Sequence, residues 1–318
     1  MNKYINSPED LETTNDETKI GFLRIALRKS KEAVYYLNLA TTFRTIADGY
    51  ENPIDLIGND DITKSMCEAA GVSVKAMGYL EPEDQKDILA EFVEEYLVTA
   101  GDSYVDELIN RYLLTQGDAL GGRMRNIVGG LAGEKLTLNI VSALRVRDFR
   151  FEYFDKRAKK WIPGDEFQEE PGNFVKSIKW KRGNETRLLC YDLTVPVVKK
   201  NIDIVLFNCA NIDLKNLVKF RKFISNQDNY LALGELKGGI DPAGADEHWK
   251  TANTALSRIR NAFNERGKNV HTIFIGAAIE AAMAIEIYDQ CKSQEMSNCA
   301  NLTKPKQLAE ICDWIVTL

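Results

Sequence analysis

The chain has 318 residues, of which 44% are hydrophobic and 28% charged, which is typical of a globular protein with one or two packed cores. Its net charge of −6 argues against a protein that coats polyanions nonspecifically, yet it leaves room for a local basic groove. The six cysteines include no C-x-x-C pair and there are only two histidines, which argues against structural zinc and secretion. No apolar run reaches about 18 residues, which argues against a membrane span. Together these features predict a cytoplasmic protein.

The first part of the chain is predicted to be helical. Residues 1–17 are polar and acidic, so we expect there either a weakly ordered arm or a start that is draped over the surface. Apolar residues then recur at helical spacing in four segments, each closed by a glycine: 18–47, 61–70, 82–100 and 103–115. A helical domain is therefore expected over residues 1–115.

Basic residues on these helices and beyond them are candidates for contacts with phosphates. Arg28 and Lys31 belong to a basic stripe on the first helix, and Lys75 lies in a short connection. A solvated helix face is the alternative interpretation. The glycine-rich stretch 117–136 brackets Arg123 and Arg125, which could reach phosphates, or its glycines could serve close helix packing. The stretch is neither a Walker P-loop nor a Rossmann fingerprint.

The rest of the chain alternates between strand and helix signals. After a helix that ends near residue 144, hairpins are predicted from the strands 149–154, 161–162, 175–180 and 187–191. Buried strands follow at 201–208, 230–237 and 270–276, and helices at 246–266, 277–290 and 306–318. This alternation predicts an α/β core with a mixed sheet.

The motif Glu235-Leu236-Lys237 lies at the end of one predicted strand. Strand side chains alternate with period two, so Glu235 and Lys237 lie on one face. Asp203 opens the preceding buried strand, and it meets Glu235 if the two strands pair; Asp213 is the alternative aspartate. E-x-K by itself is also typical of an ordinary ion pair.

Two neighbouring carboxylates form a site for a hard divalent cation such as Mg²⁺, and the carbonyl of Leu236 is a natural third ligand beside Asp203 and Glu235. A cation there, with Lys237 beside it, favours phosphodiester hydrolysis.

These residues resemble the PD-(D/E)-x-K nucleases. The longer strings GELKGGIDPAGADEHWKTA and GDALGGRMRNIVGGLAGEKL are similar to type II restriction endonucleases of the AvaI/BsoBI family, over most of the chain. The resemblance implies a restriction-endonuclease-like core, a mixed β-sheet flanked by helices, with an N-terminal helical domain. It also implies a DNA-embracing helical domain over residues 1–115 and a catalytic domain over residues 116–318.

The resemblance further implies the reaction and its partners. We expect a homodimer that cleaves double-stranded DNA with Mg²⁺ at the palindrome CYCGRG, leaving 5′ overhangs, and a cognate DNA methyltransferase in the host. Position by position, Glu235 and Lys237 match the catalytic E-x-K, and His248 matches a histidine proposed to help activate water. Asp203 is the expected partner of Glu235, although no proline precedes it as the motif name suggests.

Candidates for DNA binding are Arg28, Lys31, Lys75, Arg123, Arg125, Asp241 and Asp246. The carboxylate of Asp241 could accept a hydrogen bond from a cytosine amino group, which fits a C-rich site. Two alternatives stay open: a PD-(D/E)-x-K nuclease acting on branched or damaged DNA, and a catalytically silent DNA-binding protein whose ionic cluster is structural.

Overall fold

The computed structural model describes residues 1–167, 174–209 and 216–318. Contacts within these residues group the chain into two compact units. The helical unit is Leu23–Ile127, and the sheet unit combines Met1–Phe22 with Val128–Leu318. The assignment of a DNA-embracing domain to residues 1–115 and of a catalytic domain to residues 116–318 stays a prediction, since it concerns the functions of these domains.

The helical unit confirms the predicted N-terminal helical region. Its helices are the greater part of α1 (Asn15–Ala47), α2 (Thr63–Ala69), α3 (Val74–Met77), α4 (Pro82–Phe92), which a π-helical turn Val93–Val98 continues, and the start of α5 (Tyr104–Val146). Side chains at helical spacing, including Phe43, Leu89, Leu97 and Tyr112, are buried together in one core. Burial of these faces stabilises the short helices, because helices of this length are marginal alone.

The glycine-rich stretch 117–136 is continuous helix within α5, whereas a helix end was expected at residue 115. Each glycine costs about 1 kcal/mol in a helix, but buried Leu120, Met124, Leu136 and Ile140 offset that cost by packing. By length and composition alone, Gly101–Val146 is apolar enough to cross a membrane, contrary to the expectation from the sequence. One such helix is weak evidence for a membrane span, because core helices of soluble proteins pass the same test, and 33% of its most apolar window is buried inside the protein.

The sheet unit contains a mixed sheet of eight strands in the described residues, which confirms the predicted fold class. The strands are β1 (Phe151–Asp155), β2 (Lys160–Pro163), β3 (Val175–Arg182), β4 (Glu185–Val195), β5 (Lys200–Cys209), β6 (Tyr230–Lys237), β7 (His271–Gly276) and β8 (Asn298–Asn301). Their spatial order is β2-β1-β3-β4-β5-β6-β7-β8. Pairing is antiparallel up to β6, and β6, β7 and β8 run parallel.

Helices cover this sheet: α6 (Leu217–Ile224), α7 (Ala245–Asn264), α8 (Ala281–Lys292) and α9 (Pro305–Thr317). The apolar stripe of α7, from Trp249 to Phe263, packs in one core with Val205 and Phe207 of β5. Trp180 of β3 donates a hydrogen bond to the carbonyl of Val316 in α9. The middle of β5, from Ile204 to Phe207, is fully buried and is a continuous apolar run, as expected for a central strand.

The N-terminal arm is not weakly ordered, so the first of the two expectations for it was wrong. Leu11 is fully buried, and the Asn2 side chain donates hydrogen bonds to the carbonyls of Cys299 and Gln307. Asn301 in β8 in turn donates to the carbonyl of Leu11 at 2.8 Å. Long-range hydrogen bonds and the burial of Ile5 and Leu11 in the core order this segment, and composition alone does not reveal either. The same reason explains why the strand NCAN, β8, was not predicted.

Candidate active site

Two neighbouring strands bring the predicted carboxylates together. In the β5–β6 ladder Ile204 lies opposite Gly234, and the ladder ends at this pair. The next residues, Asp203 and Glu235, therefore lie where the two strands stop exchanging backbone hydrogen bonds. The pairing on which the choice of Asp203 depended is present, while Asp213 lies outside the described residues.

Lys237 joins the two carboxylates. Its Nζ donates to Glu235 Oε2 at 2.6 Å and to Asp203 Oδ2 at 3.2 Å. Asp203 Oδ2 also accepts from the backbone N–H of Leu236 at 2.8 Å, which satisfies a donor that the ladder no longer uses. Glu235 is only 4% exposed, whereas the side chains of Asp203 and Lys237 keep about a quarter of their surface. The cluster is thus open to solvent on the Asp203 side and closed behind Glu235.

The electrostatics indicate an excess of negative charge. Burial, and then the neighbouring Asp203 carboxylate, raise the pKa of Glu235 to about 7, against the opposing influence of Lys237. Burial works to lower the pKa of Lys237, but the Asp203 and Glu235 carboxylates outweigh it and raise that pKa above its ordinary value. Lys237 therefore stays protonated at neutral pH, so it acts as a hydrogen-bond donor and a positive charge, and not as a base.

The donor set fits a divalent cation. One ammonium does not neutralise two partly buried carboxylates, and an additional cation would relieve the repulsion that raises the pKa of Glu235. The N–H of Leu236 points to Asp203, and in a strand the carbonyl of the same residue points the same way, so it is a suitable third oxygen. Among the described residues, no three His, Cys, Asp or Glu side chains cluster as a metal site, so such an ion would keep several waters, as Mg²⁺ does.

A short loop leads from Lys237 into α7. Asp241 caps a 3-10 turn by accepting from the N–H of Ala243 at 3.0 Å, and Asp246 pairs with Lys250 at 2.5 Å on the first turns of α7. His248 lies on the same turn and is exposed. Asp241, Asp246 and His248 therefore lie close to the cluster in sequence, and the carboxylates of Asp241 and Asp246 are each already engaged in a local contact.

The basic candidates lie in the helical unit. Arg28 and Arg123 each contact the carboxylate of Glu32 at 3.1 Å, so one carboxylate orients both guanidinium groups. Lys31, Lys75 and Arg125 are exposed, with Lys75 on the single turn of α3. These exposed or partly exposed positions are compatible with contacts to phosphates.

Several supporting residues near the cluster were not found from sequence. Trp249 is buried and donates from Nε1 to Glu286 Oε2 at 2.7 Å, which anchors the start of α7. Gly238 lies against Ala132 of α5, and Gly239 against His248. A glycine pair after E-x-K is visible in the sequence, but what it packs against depends on long-range contacts.

Comparisons with known proteins identify relatives along nearly the whole chain. A family model described as restriction endonuclease BsobI matches residues 1–318. The type II restriction enzyme BsoBI of Geobacillus stearothermophilus is 46% identical over 318 residues, covering 99% of this chain and 97% of that protein. The type II restriction enzyme AvaI of a Nostoc species is 41% identical over 315 residues, covering 99% of this chain and 98% of that protein, and AvaI of Anabaena variabilis matches with the same values.

Proposed function

Because this chain belongs to the BsobI restriction endonuclease family, whose members are site-specific deoxyribonucleases, we propose that it cleaves both strands of DNA at CYCGRG, leaving 5′ overhangs, with Mg²⁺ as its cofactor. The observation that carries this proposal is the hydrogen-bonded cluster of Asp203, Glu235 and Lys237 at the open end of β5 and β6. Similarity over nearly the full length to BsoBI and AvaI supports the recognition sequence that the resemblance implied.

The residues of the cluster have separate roles in this proposal. Asp203, Glu235 and the carbonyl of Leu236 would hold the cation. When bound, the cation polarises the scissile phosphate and makes a water molecule more acidic. Lys237, kept protonated by the two carboxylates, donates a hydrogen bond to the non-bridging phosphate oxygen on which charge develops. In the reaction, the water oxygen bonds to phosphorus, the bond from phosphorus to the leaving sugar oxygen breaks, and the leaving oxygen takes up a proton from solvent.

His248 accepts the proton of the attacking water in this proposal. It lies on the first turn of α7, eleven residues after Lys237, and its exposed ring is open to solvent and substrate. An imidazole ring nitrogen is a common general acid or base in catalysis. Asp203 and Glu235 cannot fill this role while they hold a cation.

For DNA binding, we propose that the loop after β6 reads bases and the helical unit contacts phosphates. Asp241 accepts from a cytosine amino group, and Asp246 exchanges its exposed partner Lys250 for DNA at little cost, because exposed ion pairs contribute about 0–1 kcal/mol. Arg28 and Arg123 keep N–H donors beyond those that Glu32 accepts. Lys31, Lys75 and Arg125 complete the proposed set.

Digestion of a plasmid of known sequence tests the proposal directly. With Mg²⁺ we expect discrete fragments whose sequenced ends all derive from CYCGRG sites, and we expect EDTA to stop the reaction. Discrete ends at another palindrome would overturn the recognition sequence alone. Cleavage only of branched or damaged DNA would favour a structure-specific nuclease, and DNA binding without cleavage would favour a silent binding protein.

We also propose that the chain acts as a homodimer in the cytoplasm, together with a methyltransferase that protects host sites. Each chain carries one cluster of Asp203, Glu235 and Lys237, and a dimer would place one such cluster at each of the two phosphodiester bonds that a double-strand cut hydrolyses. Helix α1 supports this proposal, because five exposed apolar residues follow a seven-residue repeat along one face, as in the seam of a coiled coil: Ile20, Leu23, Leu27, Val34 and Leu37.

If this seam joins two copies, Leu27→Glu at its centre shifts the protein to the monomer in sedimentation equilibrium, because it places like charges in a desolvated contact. Leu114→Glu is the matched control: Leu114 is 75% exposed on α5 and lies off the seam, so we expect this variant to stay dimeric. A wild-type protein that remains monomeric at micromolar concentration without DNA would contradict the proposal, and a Leu27→Glu variant that stays dimeric would exclude the seam.

A further inference from the structure

The loop Gly238–Ile240, which follows the catalytic strand, is packed tightly on two sides. A Cβ atom at Gly238 would lie 2.6 Å from the Cβ of Ala132 and 3.0 Å from the carbonyl oxygen of Val128, both on α5. Ile240 is buried, and its side chain lies against the backbone of Gly21 on α1. Because backbone groups of two helices form these contacts, the loop has little freedom to shift.

The third contact of this loop is with His248. A Cβ at Gly239 would lie 2.7 Å from His248 Cε1 and 3.1 Å from Nδ1, which is closer than van der Waals contact allows. The imidazole therefore lies directly against the Cα of Gly239, in space that any other residue would fill. The contacting atoms are Nδ1 and Cε1, whereas Nε2 would lie 3.9 Å from that Cβ, so the contact with Gly239 sets where the more distant nitrogen, Nε2, lies.

The backbone of His248 is fixed independently of this contact. The next residue, Trp249, donates to Glu286 and packs edge-on against Phe274, with ring centroids 5.0 Å apart. Phe274 is the residue of β7 in register with Glu235 of β6. The start of α7 is therefore attached to the strand beside the catalytic strand, and only the side chain of His248 remains to be placed.

We propose that Gly239 is a positioning residue for His248: because it lacks a side chain, the imidazole lies on the loop after Lys237, in the place from which it accepts the proton of water. This inference rests on the proposed role of His248. The backbone at Gly239 does not adopt a left-handed conformation, so alanine fits its dihedral angles and acts only through the space of its methyl group.

A methyl group at position 239 displaces the ring and leaves the loop in place. The loop is held by buried backbone contacts, whereas the ring is the outer end of an exposed side chain. Restoring ordinary contact requires a ring shift of about 1 Å, and misplacement of a reacting group by that amount costs up to about 100-fold in rate. Gly239→Ala should therefore impair catalysis while the protein stays folded.

The experiment measures single-turnover cleavage of a cognate duplex, DNA affinity without Mg²⁺, and the thermal midpoint. For Gly239→Ala we expect the cleavage rate to fall about 10- to 100-fold, with affinity and midpoint unchanged. Gly244→Ala is the matched control in the same loop, because its Cβ would meet the His248 ring only at 3.9 Å, an ordinary contact; its rate should stay within about twofold of wild type. If His248→Ala cleaves slowly but Gly239→Ala cleaves as fast as Gly244→Ala, the inference is overturned.

The double variant separates positioning from other effects. If Gly239 acts through His248, Gly239→Ala adds nothing to the loss caused by His248→Ala, and additive losses overturn the inference. Should Gly239→Ala lower the thermal midpoint, His248→Ala must restore it, because removal of the ring removes the clash; an unrestored midpoint also overturns the inference. If His248→Ala itself cleaves at the wild-type rate, the proposed role of His248 fails, and this inference fails with it.

Discussion

Glu235→Gln and Lys237→Met are each expected to lower the single-turnover cleavage rate by at least about 10²–10³-fold, with DNA still bound. Both variants keep nearly the shape of the native side chain but remove a charge from the cluster, in which Lys237 Nζ lies 2.6 Å from Glu235 and 3.2 Å from Asp203. Loss of a single preorganised donor at a reacting centre costs about this much. Quenched-flow cleavage and a gel-shift titration without Mg²⁺ measure the two quantities.

The matched control is Lys179→Met. Lys179 is also a partly buried strand lysine paired with a glutamate, Glu152, at 2.7 Å, but it lies on β3 away from the cluster. We expect this variant to cleave at nearly the wild-type rate. Substantial cleavage by Glu235→Gln or Lys237→Met would contradict the assignment of the active site, and loss of DNA binding in either would indicate a structural role.

The parts of the site that follow from local rules could be predicted from sequence. The period of a strand places Glu235 and Lys237 on one face, and the observed bond between them confirms that geometry. The approach of Asp203 required only that two consecutive buried strands pair, which is the commonest arrangement. The catalytic roles of these residues remain predictions.

The sequence-based predictions that failed concern features that depend on contacts between distant parts of the chain. The arm at residues 1–17 is polar, yet Asn2 and Leu11 are buried because partners some 290 to 305 residues away bond to them. The glycines of α5 suggested a break, but packing of the same helix outweighs their low propensity. The contact of Gly239 with His248 has no periodic signal at all, since it arises where a loop folds back onto the next helix.

Cleavage at a subsaturating concentration of Mg²⁺ is expected to rise about tenfold from about pH 6 to about pH 8 and to level off above that range. The cause is Glu235, because burial and the neighbouring Asp203 carboxylate raise its pKa from 4.5 to about 7. A cation binds the ionised carboxylate, so protons compete with it below pH 7. Higher Mg²⁺ concentrations should shift the rise to lower pH, because binding then displaces the proton more readily.

The same pKa makes a prediction about stability without any divalent cation. Between pH 4.5 and about 7 the folded protein holds a proton on Glu235 that the unfolded chain releases, so the contribution of Glu235 to stability falls as pH rises through this window. Glu235→Gln has no such proton, so its stability lacks this dependence on pH. The free energy of unfolding of Glu235→Gln minus that of wild type should therefore increase as pH rises and level off above about pH 7. Urea denaturation across this range in EDTA measures the difference. If it stays constant, Glu235 is ionised throughout, and the rise in cleavage with pH must come from another group.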